Sequence, residues 1–345
     1  VSQPPHAATT PTTATTATTP TTPTTSTTGP SAFRPLVVQT EHLDPAAAAW
    51  LAQRCELVVC PSDDPAFPAL LARAAGLAIR TYTLITPALL EAAPNLRVVA
   101  RAGVGLDNVN VPACQARNVA VVSTPDANTR AVVELILALI LDATRPRPTL
   151  ATAIDMPAWK ALRQRASAKR QLCELTLGVW GLGKIGSQVA RAAQALEMPV
   201  LYHDLLEIPS AQRFGATPVS RQELCQRADV LTIHVDGRAT NRALVSAADL
   251  TQLKADALLI NASRGFVLDH HALAAFLIAH PLARAMLDVH EPEPITAENP
   301  LLGLPNATLY PHIASATALA NRNMSRVVED LWRVLAGEVP LWPAW

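Results

Sequence analysis

Short apolar runs recur along most of the chain, separated by stretches with helical spacing. LVVQT (36–40), ELVVC (56–60), LAIRT (77–81), LRVVA (96–100) and Val119–Val122 are brief and rich in β-branched residues, and predict strands. Between them Pro45–Arg54, Phe67–Ala75, the segment opened by Thr86-Pro87 and Pro112–Arg117 predict helices, with Pro87 at a first helical position. The alternation resumes with strands in Leu175–Trp180, Pro199–Tyr202, Val230–Val235, Ala257–Asn261 and Ala283–Val289; Thr217–Val219 follows a loop, and Asn306–Tyr310 precedes Pro311-His312-Ile313. Helices are predicted over 187–196, 221–227, 269–280 and, amphipathically, over 318–336. Strands alternating with helices imply parallel α/β sheets, the first spanning about 35–125. Thr129–Ala143 reads as a buried helix between domains. It is too short, and interrupted by Glu134, to span a membrane, and Arg145–Pro148 ends it. Residues 149–173 are more polar, include Trp159 and carry no comparable pattern.

One boundary carries more than an element. Leu175–Trp180 runs into Gly181-Leu-Gly183-Lys-Ile-Gly186, then an Ala-rich helix, then a strand ending at His203-Asp204. Strand, glycine turn, helix, strand, acid is the order of a dinucleotide-binding βαβ unit. Gly181 permits the turn, Gly183 lets backbone approach a pyrophosphate, and Gly186 lets the helix pack close to the sheet. The helix N-terminus offers free N–H groups and partial positive charge. Asp204 follows at about the 20-residue spacing of the acid that holds the ribose hydroxyls. An acid there repels a 2′-phosphate, and no Arg or Lys follows before Arg213, which favours NAD over NADP. Asp204, His234, Arg264, Asp288 and His312 all fall at or just past predicted strand ends, where an open parallel sheet binds its ligand.

Composition narrows the partners. The 345 residues suffice for two domains, and at 50% hydrophobic and 16% charged they can bury large cores. The 28 basic residues balance 28 acidic ones without a basic stripe, which argues against nucleic acid. Cys55, Cys60, Cys114, Cys173 and Cys225 are odd in number and show no metal-ligand spacing, so no metal is expected. Buried thiols in a reduced, intracellular chain fit this pattern. Val1–Pro30 is almost all Thr, Pro and Ala and cannot bury apolar surface, so the tail to about residue 34 is expected to be disordered. It lacks the basic start and apolar core of a secretory signal. A glycosylated stalk is the competing interpretation of that tail. The expectation is a cytoplasmic protein without a membrane partner.

The chain resembles the D-isomer-specific 2-hydroxyacid dehydrogenase family over about 35–340. RAGVGLDNV (101–109), TPDANTRAVVE (124–134), LGVWGLGKIG (177–186), NASRG (261–265), LDVHEPEP (287–294) and PHIASAT (311–317) carry the resemblance, in order. It implies two Rossmann/flavodoxin-like domains with the active site in the cleft between them. The substrate domain would be 35–125 plus 315–345, the NAD-binding domain 126–314, and the assembly a homodimer. Carried over by motif, Arg264 would bind the substrate, His312 would be the acid/base, and Glu293 its partner. Glu291 lies two residues away, and the spacing from Asp288 selects Glu293. Asp288 would hold the nicotinamide carboxamide, and Lys184, Ile185, His234, Val235 and Ser263 would line the cofactor site. Ala102, Gly103, Val104 and Gly105 would offer backbone N–H groups to the substrate carboxylate. Arg80 and Arg101 match positions near the substrate phosphate in the phosphoglycerate branch, and could equally be solvated charges. Asn110 stands where an Asp is common. The His-x-Pro-Leu-Thr segment of many members is replaced by His234-Val-Asp236-Gly-Arg238-Ala-Thr-Asn241. With DVHE, this segment is similar to NAD-sensing corepressors, which leaves a peptide-binding protein on the same fold as the alternative to a dehydrogenase of small D-2-hydroxy acids.

Overall fold

A computed structural model describes residues 34–345. The disorder expected of the Thr/Pro tail falls on residues 1–33, outside those described. Two parallel sheets organise the described residues. The first has β1 (Leu36–Gln39), β2 (Glu56–Val59), β3 (Gly76–Ile79), β4 (Val98–Arg101) and β5 (Ala120–Val122), in the order β2-β1-β3-β4-β5. The second has β6 (Leu177–Trp180), β7 (Val200–His203), β8 (Thr217–Pro218), β9 (Val230–Ile233), β10 (Leu258–Asn261), β11 (Arg284–Leu287) and β12 (Ala307–Leu309). Its order is β12-β11-β10-β9-β6-β7-β8.

Strand alternation builds two apolar faces on each sheet. In the first, Val37, Ala78, Val98 and Val122 point one way, and Leu36, Val38, Leu77, Ile79, Val99 and Val121 the other. In the second, Leu177, Val179, Val200, Leu258 and Ile260 oppose Trp180, Leu201, Leu231 and Leu259. Thr129–Thr144 lays Val132, Ile136, Leu139 and Ile140 into the second sheet's cluster, while Ala131 reaches that of the first.

The chain returns to the first sheet at its end. Val327, Val328, Leu331 and Leu335 pack with Val37, Val98 and Val122. The single helix expected over 318–336 is two, Ala318–Ser325 and Val327–Leu335. The buried Ser325 hydroxyl donates to Asn321 O at 2.8 Å and accepts the Asp44 N–H at 2.8 Å. Such back-bonding competes with the helical ladder, and the amides of Arg326 and Glu329 instead reach Asn323 O and Arg326 O. A further helix, Met156–Arg165, lies in the segment without a clear pattern. Asp155 caps it by accepting the Ala158 N–H at 2.8 Å. Asn110 likewise accepts the Ala113 N–H at 3.0 Å, so as a cap it does what an Asp would do there. Cys55, Cys60, Cys114 and Cys225 are buried, whereas Cys173 is exposed, against expectation.

Candidate active site

The C-terminal ends of both sets of strands open on one cleft of about 930 Å³. The first sheet contributes Arg80, Arg101, Ala102, Val104, Gly105 and Asp107. The second contributes Gly181, Gly183, Lys184, Ile185, Asp204, His234, Val235, Ser263, Arg264, Glu293 and His312. Gly103, Gly186 and Asp288 are buried behind this wall.

The glycine turn has the geometry its chemistry requires. Gly181 has φ +94°, and a Cβ there would lie 2.6 Å from His234 O. A Cβ on Gly186 would lie 2.0 Å from Gly181 O, so only glycine lets the helix Lys184–Ala195 approach the turn. Around Gly183 a Cβ would meet nothing within 4 Å. Gly183 begins that helix without a side-chain cap, which leaves the first amides for an anion. Asp204 is fixed beside the turn: its carboxylate accepts the N–H of Leu182 at 2.7 Å and of Leu206 at 2.9 Å. His234 binds Thr232 Oγ1 through Nε2 at 2.9 Å, while its Nδ1 is buried without a partner. Burial pulls its pKa down to about 3, so the ring is neutral near pH 7. An uncapped helix start, an open glycine, an acid beside it and an orphaned ring nitrogen fit a bound dinucleotide.

The unusual 234–241 loop is internally braced. Arg238 pairs with Asp236, and Asn241 Nδ2 donates to Asp236 O at 2.9 Å. Arg238's pKa is raised by Asp236 and, more weakly, by Asp204. A basic group thus comes near Asp204 from another strand end, which counting along the chain to Arg213 does not reveal.

His312 Nδ1 lies 2.7 Å from Glu293 Oε2. The other Glu293 oxygen accepts the His290 N–H at 2.9 Å. Burial raises the Glu293 pKa, but the bonds from His312 and His290 outweigh it and the net shift is downward. Glu291 faces elsewhere, pairing with Arg242 at 2.9 Å. His312 sits at φ +55°, and Asp288 holds the turn that follows. The two oxygens of this buried carboxylate accept the N–H groups of Ile313 and Ala314, each at 2.8 Å. Burial raises the Asp288 pKa, and these amides offset it only in part. Asp288 therefore supports the His312 turn from beneath the cleft, not from its wall.

Arg264 is presented by Asn261, whose Nδ2 donates to Arg264 O at 2.9 Å and whose Oδ1 accepts from Ser263 N and Oγ. Across the cleft, the Ala102 N–H is spent on Ile79 O at 2.8 Å, so it is not offered to a ligand as expected. The amides of Gly103, Val104 and Gly105 have no acceptor among the described residues. Arg101 Nε is buried without a partner. Burial and the neighbouring Arg264 lower the Arg101 pKa to about 10, with Asp107 opposing. Arg80 donates to Asn321 Oδ1 at 2.6 Å. Its loop is shaped by Glu41, which accepts the N–H groups of Arg80, Thr81, Tyr82 and Thr83, and by Asn108, which donates to Arg80 O and Thr83 O. Glu41, Asp107, Asn108 and Asn261 escape sequence reasoning because their partners are mostly backbone or distant in the chain. Among the described residues no group of three His, Cys, Asp or Glu side chains is placed to hold a metal, and no helix is long and apolar enough to cross a membrane.

Two parallel α/β sheets meeting at a glycine-turn cleft define a dinucleotide-binding protein of the Rossmann type. The chain belongs to the D-isomer specific 2-hydroxyacid dehydrogenase family: the model of that family's NAD binding domain matches residues 137–314. The chain is similar to a D-3-phosphoglycerate dehydrogenase of Archaeoglobus fulgidus, 34% identical over 263 residues, covering 76% of this chain and 49% of that one. It is also similar to an (S)-sulfolactate dehydrogenase of Chromohalobacter salexigens, 35% identical over 303 residues, covering 85% and 96%. Among solved structures, the TT0316 protein of Thermus thermophilus aligns with a TM-score of 0.77 at 32% identity, covering 90% of this chain and 100% of that one. The chain spans about half the length of the first curated relatives it matches.

Proposed function

We propose that the protein is an NAD-dependent oxidoreductase interconverting a small D-2-hydroxy acid and its 2-oxo acid. One observation carries this: Arg264, the His312–Glu293 pair and the unpaired amides of 103–105 converge on the cleft that also holds the glycine turn. Residues 126–314 hold the cofactor, and 35–125 with 315–345 bring the substrate to it. When bound, the nicotinamide supplies the hydride acceptor or donor at the substrate's C2. Arg264 and the amides of Gly103–Gly105 take the carboxylate and oxo oxygens, as a planar donor fork and N–H groups suit. His312 holds or releases the hydroxyl proton at Nε2, with Nδ1 anchored on Glu293. Arg80 and Arg101 add positive charge at the substrate end, and the unpartnered Arg101 Nε favours an acid with a second anionic group, such as a phosphate or sulfonate. The buried thiols fit a cytoplasmic protein. Leu150, Ile154, Met156 and Trp159, exposed on one segment, suit a homodimer face.

The test is NADH oxidation with glyoxylate, hydroxypyruvate, pyruvate, 2-oxoglutarate and 3-sulfopyruvate, and NAD reduction with 3-phosphoglycerate. Turnover is expected with at least one of them, favouring the doubly charged acids. Tight NADH binding without any turnover would support a binding protein on this fold and refute the enzyme.

A further inference from the structure

Arg264 has its most useful edge already engaged. Its Nε and Nη2 both lie 2.7 Å from Asp107 Oδ2, and its Nη1 donates to Ser263 O at 2.7 Å. The Nε–Nη2 edge is where a carboxylate docks side-on to a guanidinium. The contact also joins the two halves of the cleft, since Asp107 follows β4 and Arg264 follows β10.

The room for this contact comes from two glycines. A Cβ on Gly237 would lie 1.6 Å from Asp107 Oδ1, so the carboxylate occupies the place of a side chain there. A Cβ on Gly105 would lie 1.8 Å from Arg264 Nη2, so the end of the guanidinium occupies the place of a side chain on the loop that carries Asp107. Gly237 belongs to the 234–241 loop, and the bracing of Asp236 by Arg238 and Asn241 keeps that loop in place. Asp107 also bears on the charge of Arg101, which Arg264 repels. Its carboxylate thus pairs with the partly buried Arg264 and also favours the charge on Arg101.

We propose that Asp107 is a displaceable latch: its carboxylate holds the guanidinium edge that a substrate carboxylate must take, so substrate binds by exchanging one carboxylate for another on Arg264, with Gly237 providing the seat. The exchange never leaves the Arg264 guanidinium without a carboxylate partner. It also makes breaking of the cross-cleft pair a condition of binding, so an anion too weak to displace Asp107 is rejected. Asp107 acts through Arg264 and is a positioning residue. The proposal rests on Arg264 being the substrate-carboxylate site.

The experiment titrates oxalate, an unreactive carboxylate probe, into the NADH-loaded protein by calorimetry. Wild type, Asp107→Asn and Gly237→Ala are compared, with the NADH Kd measured for each. Removing the competing charge, or evicting it with the Cβ, should lower the oxalate Kd about tenfold, roughly 1.4 kcal/mol, and leave the NADH Kd unchanged. A structural role would do the opposite, loosening Arg264 and weakening oxalate. If wild type binds oxalate and Asp107→Asn binds it no more tightly, the latch is wrong while the Arg264 assignment stands. If neither binds oxalate but both bind NADH, the Arg264 assignment fails and the latch with it. Asp107→Asn preserves size and shape, so it decides the matter even if Gly237→Ala does not fold.

Discussion

Glu41 is the acid on which the first sheet's side of the cleft depends most visibly. Its carboxylate accepts the N–H groups of Arg80, Thr81, Tyr82 and Thr83 and the Thr83 hydroxyl, at 2.8 to 3.2 Å. Glu41→Gln keeps the shape but turns one acceptor oxygen into an NH2 group facing backbone donors. Bonds to a charged group contribute about 1.5–3 kcal/mol and an orphaned buried donor costs about 1–3, so a loss of about 2–4 kcal/mol is expected. At about 2–4 °C per kcal/mol, the melting temperature should drop by roughly 4–16 °C at pH 7. The pH dependence has a definite sign. Burial raises the Glu41 pKa, but the four amides outweigh it and hold it below the ordinary value of 4.5. A carboxylate lowered in the folded state stabilises above its unfolded pKa, and that contribution disappears as pH falls through the folded value. The gap between wild type and Glu41→Gln should therefore be constant from pH 7 to about 5.5 and narrow below about 4.5. Calorimetric melting of both proteins across that range is the assay. Equal melting at pH 7, or a gap that does not narrow in acid, would refute the role given to this carboxylate.

Asp204→Ala should move the ratio of kcat/KM for NADPH over NADH upward by about tenfold or more, since it removes the acid beside the turn and leaves Arg238 nearby. An unchanged ratio would remove Asp204 from the ribose. Asp288→Asn places an NH2 group against one of the Ile313 and Ala314 donors, so kcat should fall at least about tenfold with little change in NADH Kd. A large loss of NADH affinity would return Asp288 to the cofactor. Gly186→Ala drives a Cβ to within 2.0 Å of Gly181 O, and NADH binding measured by fluorescence should be lost. Retained affinity would mean the helix start can shift without consequence.

Most strands were legible because they are short, apolar and bounded by turn residues, and their polar ends follow directly: Asp204 after β7, His234 after β9, Asp288 after β11. The helix start at Thr86 was equally legible, where a side-chain oxygen meets an amide three residues on, whereas the cap made by Asn110 was not read from the chain. What stayed hidden has one physical origin: contacts made to backbone or across the cleft leave no period in the sequence. Asp288 was readable as an acid at a strand end, but not as one consumed by two amides of the His312 turn. Asp107 sat in a recognised motif, yet its partners, Arg264 and the gap at Gly237, lie on other strand ends. The break at Arg326 arises from one serine bonded to its own helix and to Asp44, a tertiary event inside an unbroken amphipathic pattern.

The central assignment is His312 as the group that handles the proton, and its most direct test is His312→Asn. Asn tolerates the left-handed backbone at this position but cannot exchange a proton near neutral pH. With the 2-oxo acid that wild type reduces best, kcat should fall by about 10²–10⁴ while the NADH Kd stays within about twofold of wild type. Turnover close to wild type would contradict the assignment.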